Sequence, residues 1–200
     1  MWSYNRLLDS DKIIKENINW QGPLSIPGYE NTNGLNSIPD LEGVYLFTFK
    51  FNDGYLLYGA GITNSTKRRL KEHVREYKKG NYTILDMKSA KKGIRNEIWH
   101  GWDYAKTHRK EFLDKKETIL KSVDQQLSSS RIFITELKDK RLRERIEASI
   151  MNNIYNSKEN WADLADRGMF LKMRYNSEMP IEANNIADNK IYGLPDFLEF

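Results

Sequence analysis

The chain has 200 residues, of which 39% are hydrophobic and 30% charged, enough for one domain with a sizeable core. It carries no cysteine, which excludes disulfides, thiol catalysis and cysteine-bound zinc and fits a reducing compartment. The net charge of +4 is mildly basic and compatible with a nucleic-acid partner.

No apolar run approaches the length of a membrane span. The opening MWSYNRLLDSDKII lacks a basic stretch followed by a long apolar one, so no signal peptide is expected and the expected location is cytoplasmic.

In chain order, Ile13, Ile14 and Ile18 predict a helix over 1–20, beginning near Asp9 or Ser10. Residues 21–42 are rich in Gly, Pro, Asn and Ser and predict a long irregular arm. GVYLFTFKF from Gly43 alternates as a strand does. A turn at Asn52-Asp53-Gly54 then leads into a second apolar run, YLLYGAGI. Tyr45 lies in the first strand of this hairpin and Tyr58 in the second.

A helix follows over 65–79, with Leu70, Val74 and Tyr77 as its buried stripe. Arg69 and His73 are one turn apart and share a face beside that stripe. Residues 61–79 hold seven basic side chains against Glu72 and Glu76, whereas 177–200 hold five acidic ones against Lys190. The basic patch therefore coincides with this helix.

Within 80–130, Asn81 to Met87 is a candidate for an extended piece, and Lys110 to Leu127 is helical. Phe112, Leu113, Ile119, Leu120 and Val123 are its candidates for burial. Lys88, Lys91, Lys92 and Arg95 form a second basic cluster near Trp99 and Trp102. Interleaved cations and aromatics grip phosphates and stack on bases, although a tryptophan is more often a core anchor. RIFITEL at 131–137 predicts a strand buried on both faces. Asp139 to Asn156 predicts a helix with Ile146, Ile150 and Ile154 inward and Glu147 at the margin of that stripe. Glu144 sits among Arg141, Arg143 and Arg145 and reads as a surface ion-pair residue. A further strand is expected around Met169 to Tyr175.

In this order and at these spacings, the residues resemble the core of the GIY-YIG nuclease family. Gly43-Val44-Tyr45 stands for GIY. Tyr58-Gly59-Ala60-Gly61 stands for YIG with one residue too many, which suggests a β-bulge. Arg69 follows eight residues after Gly61, and His73 four after that. Glu147 matches the family's helix glutamate, and Asn160 its asparagine, with Asn156 and Asn176 as alternatives. Singly, each of these would be a packing tyrosine or a solvated helix residue; the ordered set carries the resemblance.

The resemblance implies an α+β fold: a small mixed or antiparallel sheet of three or more strands, flanked by helices. The catalytic core would be 43–79 and 131–160, with 1–42 an N-terminal helix and arm, 80–130 a large basic insertion and 161–200 an extension. It implies a DNA endonuclease using Mg²⁺, with Mn²⁺ a possible substitute. Glu147 would hold the metal and Arg69 the phosphate. Tyr45 would be the general base. Tyr58 would position water or phosphate, His73 would bond the attacking water or a tyrosine hydroxyl, and Asn160 would complete the site. Lys67, Arg68, Lys88, Lys91, Lys92 and Arg95 are the candidate DNA contacts. A restriction-type enzyme that cuts double-stranded DNA as a homodimer is the first expectation. A structure-specific nicking nuclease and an inactive nucleic-acid-binding module are the alternatives.

Overall fold

The computed structural model describes residues 13–167 and 172–200. The fold is α+β, built on a mixed seven-stranded sheet. Its strands are β1 (Ile14–Leu24), β2 (Gly43–Phe51), β3 (Gly54–Thr63), β6 (Ser130–Glu136), β7 (Ile181–Ala187), β8 (Ile191–Tyr192) and β9 (Phe197–Glu199). They lie in the order β8-β3-β2-β6-β1-β7-β9. A two-stranded sheet pairs β4 (Ile84–Leu85) with β5 (Glu97–Trp99).

The hairpin forms as the alternation predicts. Asn52 turns with φ 47, and Gly43 to Phe51 pairs antiparallel with Gly54 to Thr63. β6 is central: Ile132, Phe133 and Ile134 are all fully buried, with β2 on one side and β1 on the other. Alternation divides the core between the faces of the sheet. Val44, Leu46 and Phe133 pack with Ile146, Ile150 and Ile154 of helix α7 (Lys140–Asn156). Tyr45, Ile132 and Ile134 pack on the other face, with Leu70 and Tyr77 of α2 (Thr66–Lys78) and with Ile119, Val123 and Leu127 of α6 (Lys116–Ser129).

Two helix starts match their capping chemistry. The Ser65 side chain accepts from Arg68 N–H, and Asp139 accepts from Leu142 N–H. The segment 80–130 also holds short helices α3 (Met87–Ala90), α4 (Trp102–Thr107) and α5 (Arg109–Asp114). Its α6 builds the second core face, so this segment is part of the packed body. Another short helix, α1 (Glu30–Asn33), interrupts the irregular arm after β1.

The structure departs from expectation at both ends. Ile14 to Leu24 is a strand and not the second half of a helix. Ile18 and Trp20 point into the core while Asn17 and Asn19 point out, a period of two. The strand is secured by β6 and by seven register pairs with β7. Asp9 and Ser10 lie outside the described residues. So do residues 169–171 of the strand expected around Met169 to Tyr175; residues 172–175 are not a strand. The sheet completion comes later in the tail, from β7, β8 and β9. Among the described residues no helix is long and apolar enough to cross a membrane.

Candidate active site

β8 pairs with β3 only at Tyr55 and Leu56, so the Tyr58–Ile62 stretch forms a sheet margin. A cavity of about 430 Å³ opens there. Tyr45, Tyr58, Arg69, His73 and Glu147 all line it. These five come from β2, β3, α2 and α7, so four separate elements converge on one space.

The packing explains the glycine that ends the β3 motif. Tyr45 pairs across the hairpin with Gly61, and a Cβ on Gly61 would fall on the Tyr45 ring and hydroxyl. Only glycine leaves room for the tyrosine to lie across β3. α7 is tied to this region by Arg143, one turn before Glu147. Its guanidinium donates to Leu137 O at 3.0 Å and to Asn64 Oδ1 at 2.9 Å, and pairs with Glu42 at 2.6 Å. Arg143 and Arg145 are thus buried clamps and not surface charges; Arg145 donates to the carbonyls of Met173, Met179 and Phe200. Glu144 is the surface ion-pair residue the sequence suggested, bonded to Lys140 and Arg141.

Tyr45 is 2% exposed, and its hydroxyl lies 2.8 Å from His73 Nε2. Burial pushes the Tyr45 hydroxyl up to about 12, against the pull of the Arg69 guanidinium beside it. Burial, reinforced by Arg69, lowers His73 to about 3, so the imidazole is neutral. Glu147 is 4% exposed and has no hydrogen bond or ion pair among the described residues. Burial raises its carboxyl to about 7, with Arg69 opposing and Glu144 reinforcing the shift. An unpaired buried carboxylate of this kind marks a functional position more often than a structural one.

Tyr58 is different. The hairpin register slips between Phe47 and Thr48, which pair with Gly59 and Leu57, so Tyr58 is the bulged residue. It lines the cavity, and its hydroxyl lies 3.3 Å from Ser130 Oγ and near Gln126 and Tyr77, which line the cavity too. Asn160 is exposed at the start of a 3₁₀ turn and is not in the cavity lining. Asn156 and Asn176 are exposed and outside it too.

Residues beyond the motif core also contribute side chains to the site. Tyr82 lines the cavity with its ring 5.4 Å from His73. Trp102 lies at the rim, 50% exposed, and Asp166 completes that wall. No spacing signal pointed to Tyr82 or Asp166; only tertiary contact brings them in.

Of the expected DNA contacts, Arg68 is exposed and tied to Glu72 at 2.6 Å, and Lys67 is exposed beside it. Lys88, Lys91 and Lys92 are exposed and unpaired among the described residues. Arg95 is not free for phosphate. It pairs with Asp166 at 2.6 Å and Glu97 at 2.5 Å and donates to the carbonyls of Asp163 and Leu164. Trp99 is a core anchor, donating from its indole to Gly80 O at 2.7 Å.

No group of three or more His, Asp or Glu side chains able to cage a metal occurs among the described residues. Glu147 alone, unpaired and facing open space, suits a cation that keeps most of its waters, as Mg²⁺ does. No family model matches the sequence, and neither curated proteins nor solved structures yield a match.

Proposed function

We propose that the chain is a metal-dependent phosphodiesterase that cuts DNA, similar to the GIY-YIG nucleases. The single observation that carries this reading is the convergence of Tyr45, Arg69, His73 and Glu147 on one cavity. They come from three elements, β2, α2 and α7, and follow one another in the chain in the order of the motif.

In this reading Arg69 holds a phosphoryl oxygen with its fork of donors. Neutral His73 accepts from the Tyr45 hydroxyl and fixes its orientation, which leaves the Tyr45 oxygen lone pairs facing the attacking water. Tyr45, once it has released its own proton to solvent, takes the water proton. Glu147 is the ligand for Mg²⁺ or Mn²⁺. Bound there, the ion would supply positive charge at the phosphoryl oxygens and beside the Tyr45 hydroxyl. A restriction-type enzyme acting on duplex DNA as a homodimer is the specific form we favour. Inside a cell it would work in the cytoplasm.

A second reading is a nucleic-acid-binding module without activity. It is favoured by the engagement of the Tyr58 hydroxyl with Ser130 and by Asn160 not being among the cavity-lining residues. One experiment separates the two: unmodified duplex DNA is incubated with the protein, with and without Mg²⁺, and the ends are mapped. Mg²⁺-dependent cuts that disappear in Glu147→Ala support the nuclease. Cleavage that survives Glu147→Ala moves the metal elsewhere, and binding without cleavage leaves the module. Fixed cut positions identify a restriction-type enzyme, and cuts at structural junctions a structure-specific one.

A further inference from the structure

We propose that Trp102 and Tyr82 form a stacking platform at the cavity mouth for a nucleobase turned out of its stack. The base would belong to the nucleotide whose phosphate Arg69 holds. The proposal rests on the nucleic-acid part of the reading above and does not depend on cleavage.

The two tryptophans of this segment have divided roles. Trp99 is 4% exposed and packs in the core, whereas Trp102 is 50% exposed on the cavity wall. An exposed indole that is also held rigidly calls for an explanation beyond packing. Trp102 has φ 57, a left-handed conformation that is a costly outlier for a bulky residue. Its backbone N–H donates to Asn81 O at 2.8 Å. The preceding Gly101 backs so closely on Tyr82 and Thr83 that no side chain fits there. Its indole N–H donates to Asp166 Oδ2 at 2.7 Å, and Asp166 is itself fixed by Arg95 at 2.6 Å. Arg95 is therefore a positioning residue for the indole.

The rings form a series that leads inward. Trp102 lies 5.0 Å from Tyr82, and Tyr82 lies 5.4 Å from His73, which bonds Tyr45. An aromatic face beside a guanidinium is the pairing that holds a nucleotide, with the base on the ring and the phosphate on the cation. The cavity, at about 430 Å³, falls within the roughly 300–1,000 Å³ of pockets that enclose small ligands. A flat, exposed, preorganised ring at its mouth fits a planar heterocycle better than it fits a duplex backbone.

The test uses the full chain in chelator, so that nothing is cut. The probe is a single-stranded oligonucleotide containing 2-aminopurine, a base whose fluorescence is quenched by stacking. The unaltered protein should bind it and quench it. Trp102→Gly should bind about 5- to 150-fold more weakly, as expected for one lost base–aromatic stack, and should leave the probe bright. Glycine accepts φ 57 without strain, so this variant should fold, which a thermal melt checks. Trp102→Phe should retain most of the affinity and the quenching. Unchanged affinity in Trp102→Gly, or an unquenched probe on the unaltered protein, overturns the platform. Failure to bind the oligonucleotide at all overturns the platform and leaves the nuclease reading to the duplex assay above. Binding and quenching through Trp102, with no cleavage of duplex DNA in Mg²⁺, overturns the nuclease reading alone.

Discussion

The Tyr45 hydroxyl and His73 Nε2 lie 2.8 Å apart in a site where burial keeps both groups uncharged. The tyrosine is held up at about 12 and the histidine down at about 3, so a proton does not pass between them at neutral pH. His73 is thus an orienting partner and not the final base. Positive charge near the Tyr45 oxygen is what would ionise it, and Arg69 already pulls in that direction.

Tyr45→Phe keeps the ring that lies across Gly61 and removes only the hydroxyl. Its DNA cleavage should fall about 10²- to 10⁴-fold, the usual contribution of a general base. Its stability should drop by about 1 kcal/mol or less, the net worth of one hydrogen bond. Single-turnover cleavage of supercoiled plasmid and a thermal melt read these two effects. Cleavage at the unaltered rate would remove the hydroxyl from the chemistry.

Arg69→Ala should lose far more activity than Arg68→Ala. Both arginines reach Glu72, at 3.3 Å and 2.6 Å, but only Arg69 lines the cavity with Tyr45 and Glu147. Losing one preorganised charge donor costs on the order of 10²–10³-fold in rate, and an exposed arginine only a few-fold. Equal losses in the two variants would mean that α2 presents a different face to the phosphate.

Much of this arrangement was legible in the sequence because it follows from short-range periodicity. The alternation of GVYLFTFKF, the i, i+4 pairing of Arg69 with His73, and Glu147 beside Ile146 each fix a face from local spacing alone. The extra residue in YGAG also announced its bulge. What the bulge does to the Tyr58 hydroxyl was not legible, since its direction is set by Ser130 and Gln126, about seventy residues away in the chain. The strand at Ile14–Leu24 was hidden for a similar reason. Its partner β7 lies near the other end of the chain, and the three isoleucines of KIIKENI satisfy a helical spacing equally well. Arg95 looked like a phosphate ligand because Asp166, which claims it, is distant in sequence.

Glu147→Gln should stabilise the metal-free protein at pH 8 and change little at pH 5. The carboxyl titrates near 7 when folded, with Arg69 on α2 pulling it down and Glu144 on its own helix pushing it up. An unfolded glutamate titrates near 4.3. Between these values the folded state binds the extra proton, so stability falls as pH rises through this window. At pH 8 nearly the full cost of ionising a buried carboxylate is present, at most about 4 kcal/mol at 1.36 kcal/mol per pKa unit. Glutamine removes it. Thermal melts in chelator at the two pH values measure the difference. Added Mg²⁺ should then raise the melting temperature of the unaltered protein and not that of Glu147→Gln. Parallel melting behaviour across pH would mean that Glu147 is ordinarily ionised and better solvated than its burial indicates.

Tyr58→Phe separates the bulge from the chemistry. The resemblance alone would give this hydroxyl a part in positioning water or phosphate, and its loss would then resemble that of Tyr45→Phe. The geometry predicts the opposite. The hydroxyl bonds Ser130 Oγ, and Ser130 donates onward to Gln126 O at 2.9 Å, so the hydroxyl is engaged by partners within the protein. Removing it leaves Gln126 and Ser130 short of one partner, which should cost about 1–3 kcal/mol of stability. The ring stays against the cavity, so cleavage should remain within a few-fold of the unaltered rate at temperatures where the variant is folded. A plasmid assay beside a denaturant titration distinguishes the cases. A loss of a hundredfold or more with unchanged stability would give the Tyr58 hydroxyl a part in the chemistry.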